Sequence, residues 1–273
     1  MSLFSAMFLG LIQGVAEFLP ISSSGHLAFF QNFFQLEEAD LFFDVLLHLG
    51  TLIAVFFAYR EEVKDLIISF FSFFRKQSPQ QLRKTRLGRR MILLLIIATL
   101  PLAAVLPVKD YIESFYYNTF VVGFALIATG LILFFSDRFS HGQKSERNAT
   151  IWDALFVGIG QAIAVMPGIS RSGTSISAGL VRGFDRQFAI RFSFLMSIPA
   201  VLGANLLSLI DAIQEGVNWR LMPTYLAGVA VAMISGYASI RLLRYISRKS
   251  SFGGFAYYCW GAGLVTILLS LFS

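Results

Sequence analysis

The chain has 273 residues, of which 56% are hydrophobic and 14% are charged, and its formal net charge is +6. Soluble proteins carry about 25% charged residues, so this composition excludes a soluble domain and indicates a helical protein that crosses a membrane several times. In a soluble chain the positive charge would suggest a nucleic-acid partner, but here orientation in the membrane explains it. The sequence therefore predicts one integral membrane domain, residues 1–273, with no nucleic-acid partner.

The first apolar run, residues 3–19, leads into a polar loop. Gln13 and Glu17 are four residues apart, so a helix places both side chains on one face. Pro20 ends that helix because it lacks an N–H group and restricts the residue before it. Three serines, a glycine and His26 follow before the chain becomes apolar again. The order helix, break, polar loop, helix is typical of a chemical site placed at membrane depth.

Six further apolar stretches are long enough to cross a bilayer as helices. They cover residues 41–59, 91–107, 119–135, 188–210, 224–243 and 255–272. The shorter apolar piece 66–74 is expected to be amphipathic or interfacial. Segment 75–90 contains seven basic residues and no acidic one, which places it on the cytoplasmic side. When the side of the membrane alternates with each span from this segment, Lys109 and Arg220 are the only basic residues outside, and Arg171 lies within the membrane. This uneven distribution of Lys and Arg supports the number of spans.

The same alternation orients the two polar loops. Segment 37–44 falls on the outside, and its acidic residues are Glu37, Glu38, Asp40 and Asp44. The first broken segment must therefore enter and leave from the outside. A second broken segment follows residue 150 and must return to the inside before residue 188. Both are predicted to be re-entrant, from opposite faces, with loops that meet near the midplane.

An internal repeat relates the two loops by an offset of 148 residues. The offset pairs Gly10 with Gly158, Gln13 with Gln161, Ala16 with Ala164, Ile21 with Ile169, Ser22 with Ser170, Ser24 with Ser172 and Gly25 with Gly173. Repeat one covers about residues 1–135 and repeat two about 151–273. Three spans follow each loop, and an odd number inverts the second copy. The predicted fold is an all-α polytopic membrane protein with an inverted-topology repeat, six transmembrane helices and two re-entrant helix pairs.

Glu17 and Arg171 are charged residues at membrane depth, where each charge costs about 2.5–3.5 kcal/mol. One interpretation is an ion pair that joins the repeats. The surrounding hydroxyls favour a ligand site, because helices that restart after both loops direct N–H groups to one point. An arginine fork also suits phosphate oxygens. The candidate phosphate-binding residues are Ser22, Ser24, Gly25, Ser170, Ser172, Gly173, Thr174 and Ser175. The expected ligand is a phosphate or diphosphate.

His26 follows Ser23 by three residues and has two interpretations. It is either a helix cap satisfied by neighbouring hydroxyls, or a general base or acid that serves Ser23. Glu17 would then orient this histidine or bind a divalent metal ion, with Gln13 as a neutral second oxygen ligand.

Three further features are interpreted as structural or are excluded from the site. The N-terminal run is not expected to be a cleaved signal peptide, because the first basic residue is Arg60. Asp44 and His48, also four apart, are interpreted as structural residues at the outer end of a span. Cys259 is the single cysteine, so an internal disulfide is excluded.

Two segments resemble a known family. QGVAEFLPISSSGH, residues 13–26, and PGISRSG, residues 167–173, closely resemble the bacitracin-resistance family of undecaprenyl-diphosphate phosphatases, and the similarity is collinear over essentially the whole chain. The resemblance implies an enzyme of the bacterial cytoplasmic (inner) membrane. It would convert undecaprenyl diphosphate to undecaprenyl phosphate and so recycle the lipid carrier for peptidoglycan synthesis, with an active site open to the extracytoplasmic face.

The resemblance also implies roles by position. The family's metal-binding element falls on Gln13 and Glu17, its serine and histidine on Ser23 and His26, and its essential arginine on Arg171. It implies dependence on Mg²⁺ or Ca²⁺, although Gln13 leaves one carboxylate where some members have two. The expected mechanism is attack by Ser23 after deprotonation by His26. The alternative nucleophile is a water activated by His26 or by the metal.

A transporter or flippase for a phosphate-bearing lipid is the alternative function, because broken helices in inverted repeats are common in secondary transporters. The combination of serine, histidine and glutamate favours an enzyme, since a carrier needs binding groups but no nucleophile and base. A purely structural membrane protein would not explain the repeated polar loops. The expected partners are a polyprenyl diphosphate lipid and the bilayer, and the sequence leaves assembly into a homo-oligomer open.

Overall fold

A computed structural model describes residues 1–33, 41–76, 78–139, 141–249 and 252–271. The α-helices of these ranges are α1 (Leu3–Phe18), α2 (Ser23–Phe33), α3 (Leu41–Ala58), α4 (Arg60–Ser72), α5 (Pro79–Ala103), α6 (Lys109–Glu113), α7 (Thr119–Ser136), α8 (Ile151–Ile163), α9 (Arg171–Val181), α10 (Arg186–Glu215), α11 (Met222–Lys249) and α12 (Gly253–Ser270). Short 3₁₀ turns lie at Leu106–Val108, Ser114–Tyr117, Asp137–Phe139 and Trp219–Leu221. Within these ranges the only β-type pairing is an isolated bridge between Lys144 and Phe184. The predicted all-α class is confirmed.

Six of the described helices are long and apolar enough to cross a membrane. They are α3, α5, α7, α10, α11 and α12, which correspond one to one to the predicted stretches. The helices extend beyond the apolar parts because polar residues continue them. Helix α5, for example, begins at Pro79 after Ser78, which forms a capping box with Gln81.

The predicted interfacial piece belongs to helix α4, which begins earlier than expected, at Arg60. Two glutamates, Glu61 and Glu62, lie in its first turn, where they complement the helix dipole. Its apolar side chains, among them Ile67 and Phe71, are about half exposed. A helix with an exposed apolar face and a charged start is typical of a membrane interface.

Helices α1 and α2 form the first of two hairpins. Helix α1 ends at Phe18, as Pro20 predicts, and α2 begins at Ser23. Ser22, in the turn between them, has φ of 71°, a left-handed conformation that costs a non-glycine residue of order 1–3 kcal/mol. The rings of Phe8 and Phe30 pack 5.0 Å apart toward the open end of the hairpin.

Helices α8 and α9 form the second hairpin. Thr150 caps α8 through a capping box with Asp153. At the same open end, Arg182, which follows α9, donates to Asp153 at 2.7 Å. The turn between the helices contains Gly168, whose φ of 90° suits a residue without a Cβ atom.

The two hairpins meet at their tips. The hydroxyl of Ser24 accepts a hydrogen bond from the N–H of Gly168 at 3.2 Å. In the other direction, the hydroxyl of Ser172 donates to the carbonyl of Leu19 at 3.3 Å. Each hairpin therefore supports the turn of the other, which brings both polar loops to one place.

The open ends of the hairpins lie near segments that the charge rule assigns to opposite sides. Gln31, near the end of α2, donates to Asp44 and accepts from Tyr116, both of which are predicted to lie outside. Lys144, predicted to lie inside, binds Asp153 at the start of α8. These contacts support two re-entrant pairs, whose placement in a membrane stays a prediction. Glu37, Glu38 and Asp40, which were assigned to the outside, lie beyond the described residues.

Further ion pairs agree with the same assignment. Lys109 lies 3.3 Å from Asp211, and both are predicted to lie outside. Arg191 lies 2.5 Å from Glu146, and both belong to the predicted inner side. In each pair, the two residues in contact are assigned to the same side by the predicted topology.

Gly10 and Gly158, which the repeat pairs, allow two equivalent close helix contacts. Helix α1 packs against α11, where a Cβ atom on Gly10 would lie 2.2 Å from the carbonyl oxygen of Gly228. Helix α8 packs against α5, where a Cβ atom on Gly158 would lie 2.3 Å from the carbonyl oxygen of Ala98. Each hairpin thus packs on a span of the other half, which supports the predicted repeat of about 1–135 and 151–273.

We expect Gly10→Ala to destabilise the protein by about 1–3 kcal/mol, because the added methyl group meets backbone atoms and forces α1 and α11 apart. The matched control is Gly261→Ala on α12, where a Cβ atom would meet nothing within 4 Å. Thermal unfolding in detergent compares the two variants. Equal midpoints would contradict the close packing described here.

Candidate active site

The carboxylate of Glu17 is at the centre of the polar cluster between the hairpins. Its Oε1 atom accepts from Nη2 of Arg171 at 2.5 Å. Its Oε2 atom accepts from the hydroxyl of Ser23 at 2.7 Å and from the amide nitrogen of Gln13 at 3.2 Å. Glu17 is 9% exposed and Gln13 is fully buried. The donors come from both hairpins and compensate a buried charge that would otherwise be costly.

Arg171 is the first residue of α9 and uses only part of its guanidinium group. One nitrogen binds Glu17, which confirms the ion pair between the repeats as a contact. The other terminal nitrogen, Nη1, is buried and finds no hydrogen-bond partner among the described residues. A cation with a free donor at a helix N-terminus suits a phosphate oxygen. The ion pair and a ligand site are therefore compatible.

A cavity of about 670 Å³ lies beside this cluster. At the hairpin tips it is lined by Glu17, Ser23, Ser24, Ser170 and Arg171. Its remaining wall includes residues that lie in turns or toward the helix ends nearest the predicted outer side, namely Leu41, Asp44, Leu102, Ser114, Tyr116 and Ser208. The cavity therefore connects the charged cluster with the predicted outer side of the protein.

Of the predicted phosphate-binding residues, Ser24 and Ser170 line the cavity. Ser170 also accepts a hydrogen bond from the N–H of Gly173, and Ser22 accepts one from the N–H of Gly25. These two serines act as helix N-caps at equivalent positions of the repeat. The caps hold the N-terminal ends of α2 and α9 in place beside the cavity.

The other predicted phosphate-binding hydroxyls are directed into the protein. Ser172 is bound to the first turn, as described above. The hydroxyl of Ser175 lies 2.6 Å from that of Ser193 on α10, so it joins two helices. Thr174 is buried, and its hydroxyl has no partner in the part of the chain that the structure describes. A phosphate-binding role for Ser22, Gly25, Ser172, Gly173, Thr174 and Ser175 stays a prediction.

Both ring nitrogens of His26 have partners other than the Ser23 hydroxyl, which His26 is expected to deprotonate. Its Nδ1 atom is 2.7 Å from the carbonyl oxygen of Ser22 and its Nε2 atom is 2.7 Å from the hydroxyl of Tyr258. Because a carbonyl only accepts, Nδ1 carries the proton and Nε2 accepts from Tyr258. The hydroxyl of Ser23 instead donates to the carboxylate of Glu17. The reason is local, since the first turn of α2 brings residue 26 back over residue 22.

Gln13 and Glu17 were predicted to bind a metal, and their oxygen atoms are compatible with one. The Oε1 atom of Gln13 is buried and unpaired within the described residues. No group of three or more His, Cys, Asp or Glu side chains comes together in those residues. Mg²⁺ is often bound by one or two carboxylates together with substrate phosphates. The two residues therefore fit a divalent ion that binds with a diphosphate.

Several polar cavity residues were not predicted as site residues. Asp44 and His48, interpreted from the sequence as structural, both line the cavity. Gln161 and Asn205 line it as well. The repeat could have revealed Gln161, the counterpart of Gln13, and an amide within an apolar span is itself a signal for Asn205.

The fold and the cluster define a class: a polytopic membrane protein whose polar site lies where two broken helix pairs meet. Residues 6–265 match the family model described as "Bacitracin resistance protein BacA". The chain belongs to this family.

Full-length relatives agree with this membership. The chain is 43% identical over 265 residues to the "Undecaprenyl-diphosphatase" of Syntrophotalea carbinolica, with 96% of this chain and 97% of the relative covered. It is 40% identical over 273 residues to that of Carboxydothermus hydrogenoformans, with 98% of each covered. It is 38% identical over 271 residues to that of Halothermothrix orenii, with 99% of each covered. The resemblance inferred from the two motifs is confirmed.

Proposed function

We propose that this protein hydrolyses undecaprenyl diphosphate to undecaprenyl phosphate and phosphate. The observation that carries the proposal is one cavity lined by Ser23, Glu17 and Arg171. The hydroxyl and the guanidinium group are both hydrogen-bonded to the carboxylate. A nucleophile, a proton acceptor and a cation are the groups that phosphoryl transfer needs. The printed names of the relatives support the same substrate.

The geometry supports Glu17 as the group that accepts the proton of Ser23. The distance of 2.7 Å between Ser23 Oγ and Glu17 Oε2 lies within the range of a nucleophile and its base. Ser23 would attack the terminal phosphorus, and the lipid monophosphate would leave. Water would then hydrolyse the phosphoserine. In the alternative mechanism Ser23 binds the phosphate and a water attacks.

Arg171 would stabilise the charge that develops on the terminal phosphate. Its Nη1 atom, which has no partner in the described ranges, and the first N–H groups of α9 belong to the same helix end. Those N–H groups have no partner within a helix. Donors that are fixed before the reaction are the main source of such stabilisation. The ion pair with Glu17 holds the guanidinium group in place.

A divalent ion, Mg²⁺ or Ca²⁺, would be held by the oxygen atoms of Gln13 and Glu17. When bound, such an ion neutralises charge on the phosphate oxygens. Gln13 would then supply a neutral ligand, and Glu17 would supply the carboxylate.

We expect Gln13→Glu to lower the Mg²⁺ concentration for half-maximal phosphate release by roughly an order of magnitude, because charge count tunes affinity for hard cations. Gln13→Met is the matched control, since it removes the oxygen ligand at similar size and should raise that concentration. Mg²⁺-dependent thermal stabilisation without substrate gives a second readout. An identical Mg²⁺ requirement in all three proteins would contradict the metal site.

The proposed site is open to the extracytoplasmic face of the cytoplasmic membrane. The support is that the cavity wall is formed by the hairpin tips and by residues on the predicted outer side. Apolar residues of the same wall, such as Leu41, Leu102 and Val201, offer a surface for the first prenyl units. The substrate would thus approach from the bilayer with its diphosphate in the cavity.

The test is phosphate release from undecaprenyl diphosphate by purified protein in detergent, with and without EDTA, and with mass spectrometry of the lipid product. The proposal predicts one phosphate for each lipid monophosphate formed. Well-folded protein that binds the lipid but releases no phosphate would exclude hydrolysis and favour the transporter.

A further inference from the structure

Two carboxamide side chains in the cavity wall are almost fully buried and have an amide nitrogen without a partner in the described part of the chain. Gln161 on α8 is 2% exposed, and neither its Nε2 nor its Oε1 atom is paired. Asn205 on α10 is 8% exposed, and its Nδ2 atom is unpaired. Because buried polar atoms in proteins are nearly always hydrogen-bonded, unpaired amides in a cavity wall point to a ligand.

Most cavity residues of α8, α10 and the turn after α8 are small or apolar, among them Ala164, Val165, Ala200, Val201 and Ala204. Ser170 and Ser208 also lie in these segments, but within the described residues neither pairs with the unpaired amide atoms. The amides of Gln161 and Asn205 are therefore available to hydrogen-bond a polar group of a ligand in this part of the cavity.

The internal repeat explains why Gln161 is unpaired. Its counterpart Gln13 donates to Glu17, the residue four positions later on the same helix. The residue four positions after Gln161 is Val165. The second copy therefore keeps the amide but lacks the carboxylate that occupies it in the first copy.

We propose that Gln161 and Asn205 bind the lipid-linked phosphate of the substrate while Arg171 and Ser23 take the terminal phosphate. This inference rests on the proposed function. The lipid-linked phosphate carries one negative charge and two non-bridging oxygens, and two neutral N–H donors match such a group. Hydrogen bonds from neutral donors to an anionic oxygen are charge-assisted, and the terminal phosphate alone also meets the cation Arg171. After the terminal phosphate is transferred, the lipid monophosphate has lost the contact with Arg171 and is released.

The probes are methylenediphosphonate, a diphosphate that cannot be hydrolysed, and inorganic phosphate. Calorimetry with the full-length protein in detergent measures the binding of each. The variants are Gln161→Met and Asn205→Leu, which keep the size and remove the donors. Gln214→Met makes the same chemical change at an exposed position of α10 and serves as the control.

Each variant should weaken methylenediphosphonate binding by about ten- to hundredfold, the effect of one lost hydrogen bond to a charged group, and should leave phosphate binding unchanged. KM for undecaprenyl diphosphate should rise by a similar factor with kcat unchanged. Gln214→Met should behave as the unaltered protein does in every assay.

Two results would overturn the subsite: unchanged methylenediphosphonate affinity in both variants, or an equal loss for both probes, which indicates a structural role. Failure of the proposed function looks different. In that case the unaltered protein releases no phosphate, although methylenediphosphonate binding still depends on Gln161, and the subsite stands as a diphosphate-binding site.

Discussion

Replacement of Arg171 by alanine is expected to reduce kcat for phosphate release by about 10³-fold or more, the range for arginines that stabilise phosphoryl transfer. Arg171 lines the cavity, and its Nη1 atom has no partner among the described residues. Arg171→Lys keeps the charge but loses the planar guanidinium group, so kcat should fall less than in Arg171→Ala. Phosphate release at saturating undecaprenyl diphosphate measures both.

The alanine variant also leaves Glu17 buried without its cation, which costs about 3–5 kcal/mol. Unfolding midpoints must therefore accompany the rates, and Arg171→Lys is the safer variant for this reason. Arg191→Lys is the matched control, because Arg191 pairs with Glu146 on the predicted inner side, away from the cavity. Full activity in folded Arg171→Ala protein would contradict the site.

Ser23→Ala is expected to lower kcat by at least about 10³-fold if its hydroxyl is the nucleophile. Glu17→Gln should cause a similar loss, because the pair acts as one unit and the amide is a poor proton acceptor. Ser24→Ala is the matched control, since Ser24 lines the same cavity and holds Gly168. The decrease in kcat of Ser24→Ala should stay below about tenfold, the effect of one neutral hydrogen bond.

The same series decides between the two mechanisms. A loss of kcat of only about ten- to hundredfold in Ser23→Ala would indicate that a water molecule attacks, since one lost hydrogen bond to the charged phosphate accounts for that much. If His26→Gln lowered kcat as much as Ser23→Ala does, and Glu17→Gln stayed active, the base would be His26. Rapid quench of the unaltered protein would show phosphoserine at position 23 only in the first mechanism.

The fold could be predicted to a large extent because its determinants are coarse. Apolar length set the six spans, and the basic segment 75–90 set their orientation. The partners Lys109 and Asp211, which are far apart in sequence, then meet on one predicted side. Helix ends such as that of α5 were less predictable, because capping by Ser78 depends on local hydrogen bonds.

The sequence singled out Glu17, Ser23 and Arg171, which the structure brings into contact, but it predicted only part of their contacts. The repeat and the charge rule together predicted that the two loops meet, which places Glu17 and Arg171 at one site. The contact of Ser23 with Glu17 could not be foreseen, because it depends on the left-handed conformation of Ser22. That same turn directs His26 to the Ser22 carbonyl.

Cavity residues outside the motifs were hardest to find. Asn205 lies in an apolar span and has no counterpart in the pattern of the loops. Only the packing of α8 and α10 around a common cavity shows that Asn205 and Gln161 line the same wall. Such tertiary proximity is not encoded in local spacing.

The central claim is that the two hairpins meet in a site that is reached from the outer face. Cysteine labelling in intact cells tests it most directly, with Ser208→Cys in the cavity wall and Arg83→Cys in the basic segment. The native Cys259 is buried and should not react. We expect an impermeant maleimide to label Ser208→Cys and block its phosphate release, and to label Arg83→Cys only after permeabilisation. Labelling of Arg83→Cys in intact cells, with Ser208→Cys protected until the membrane is opened, would contradict the account.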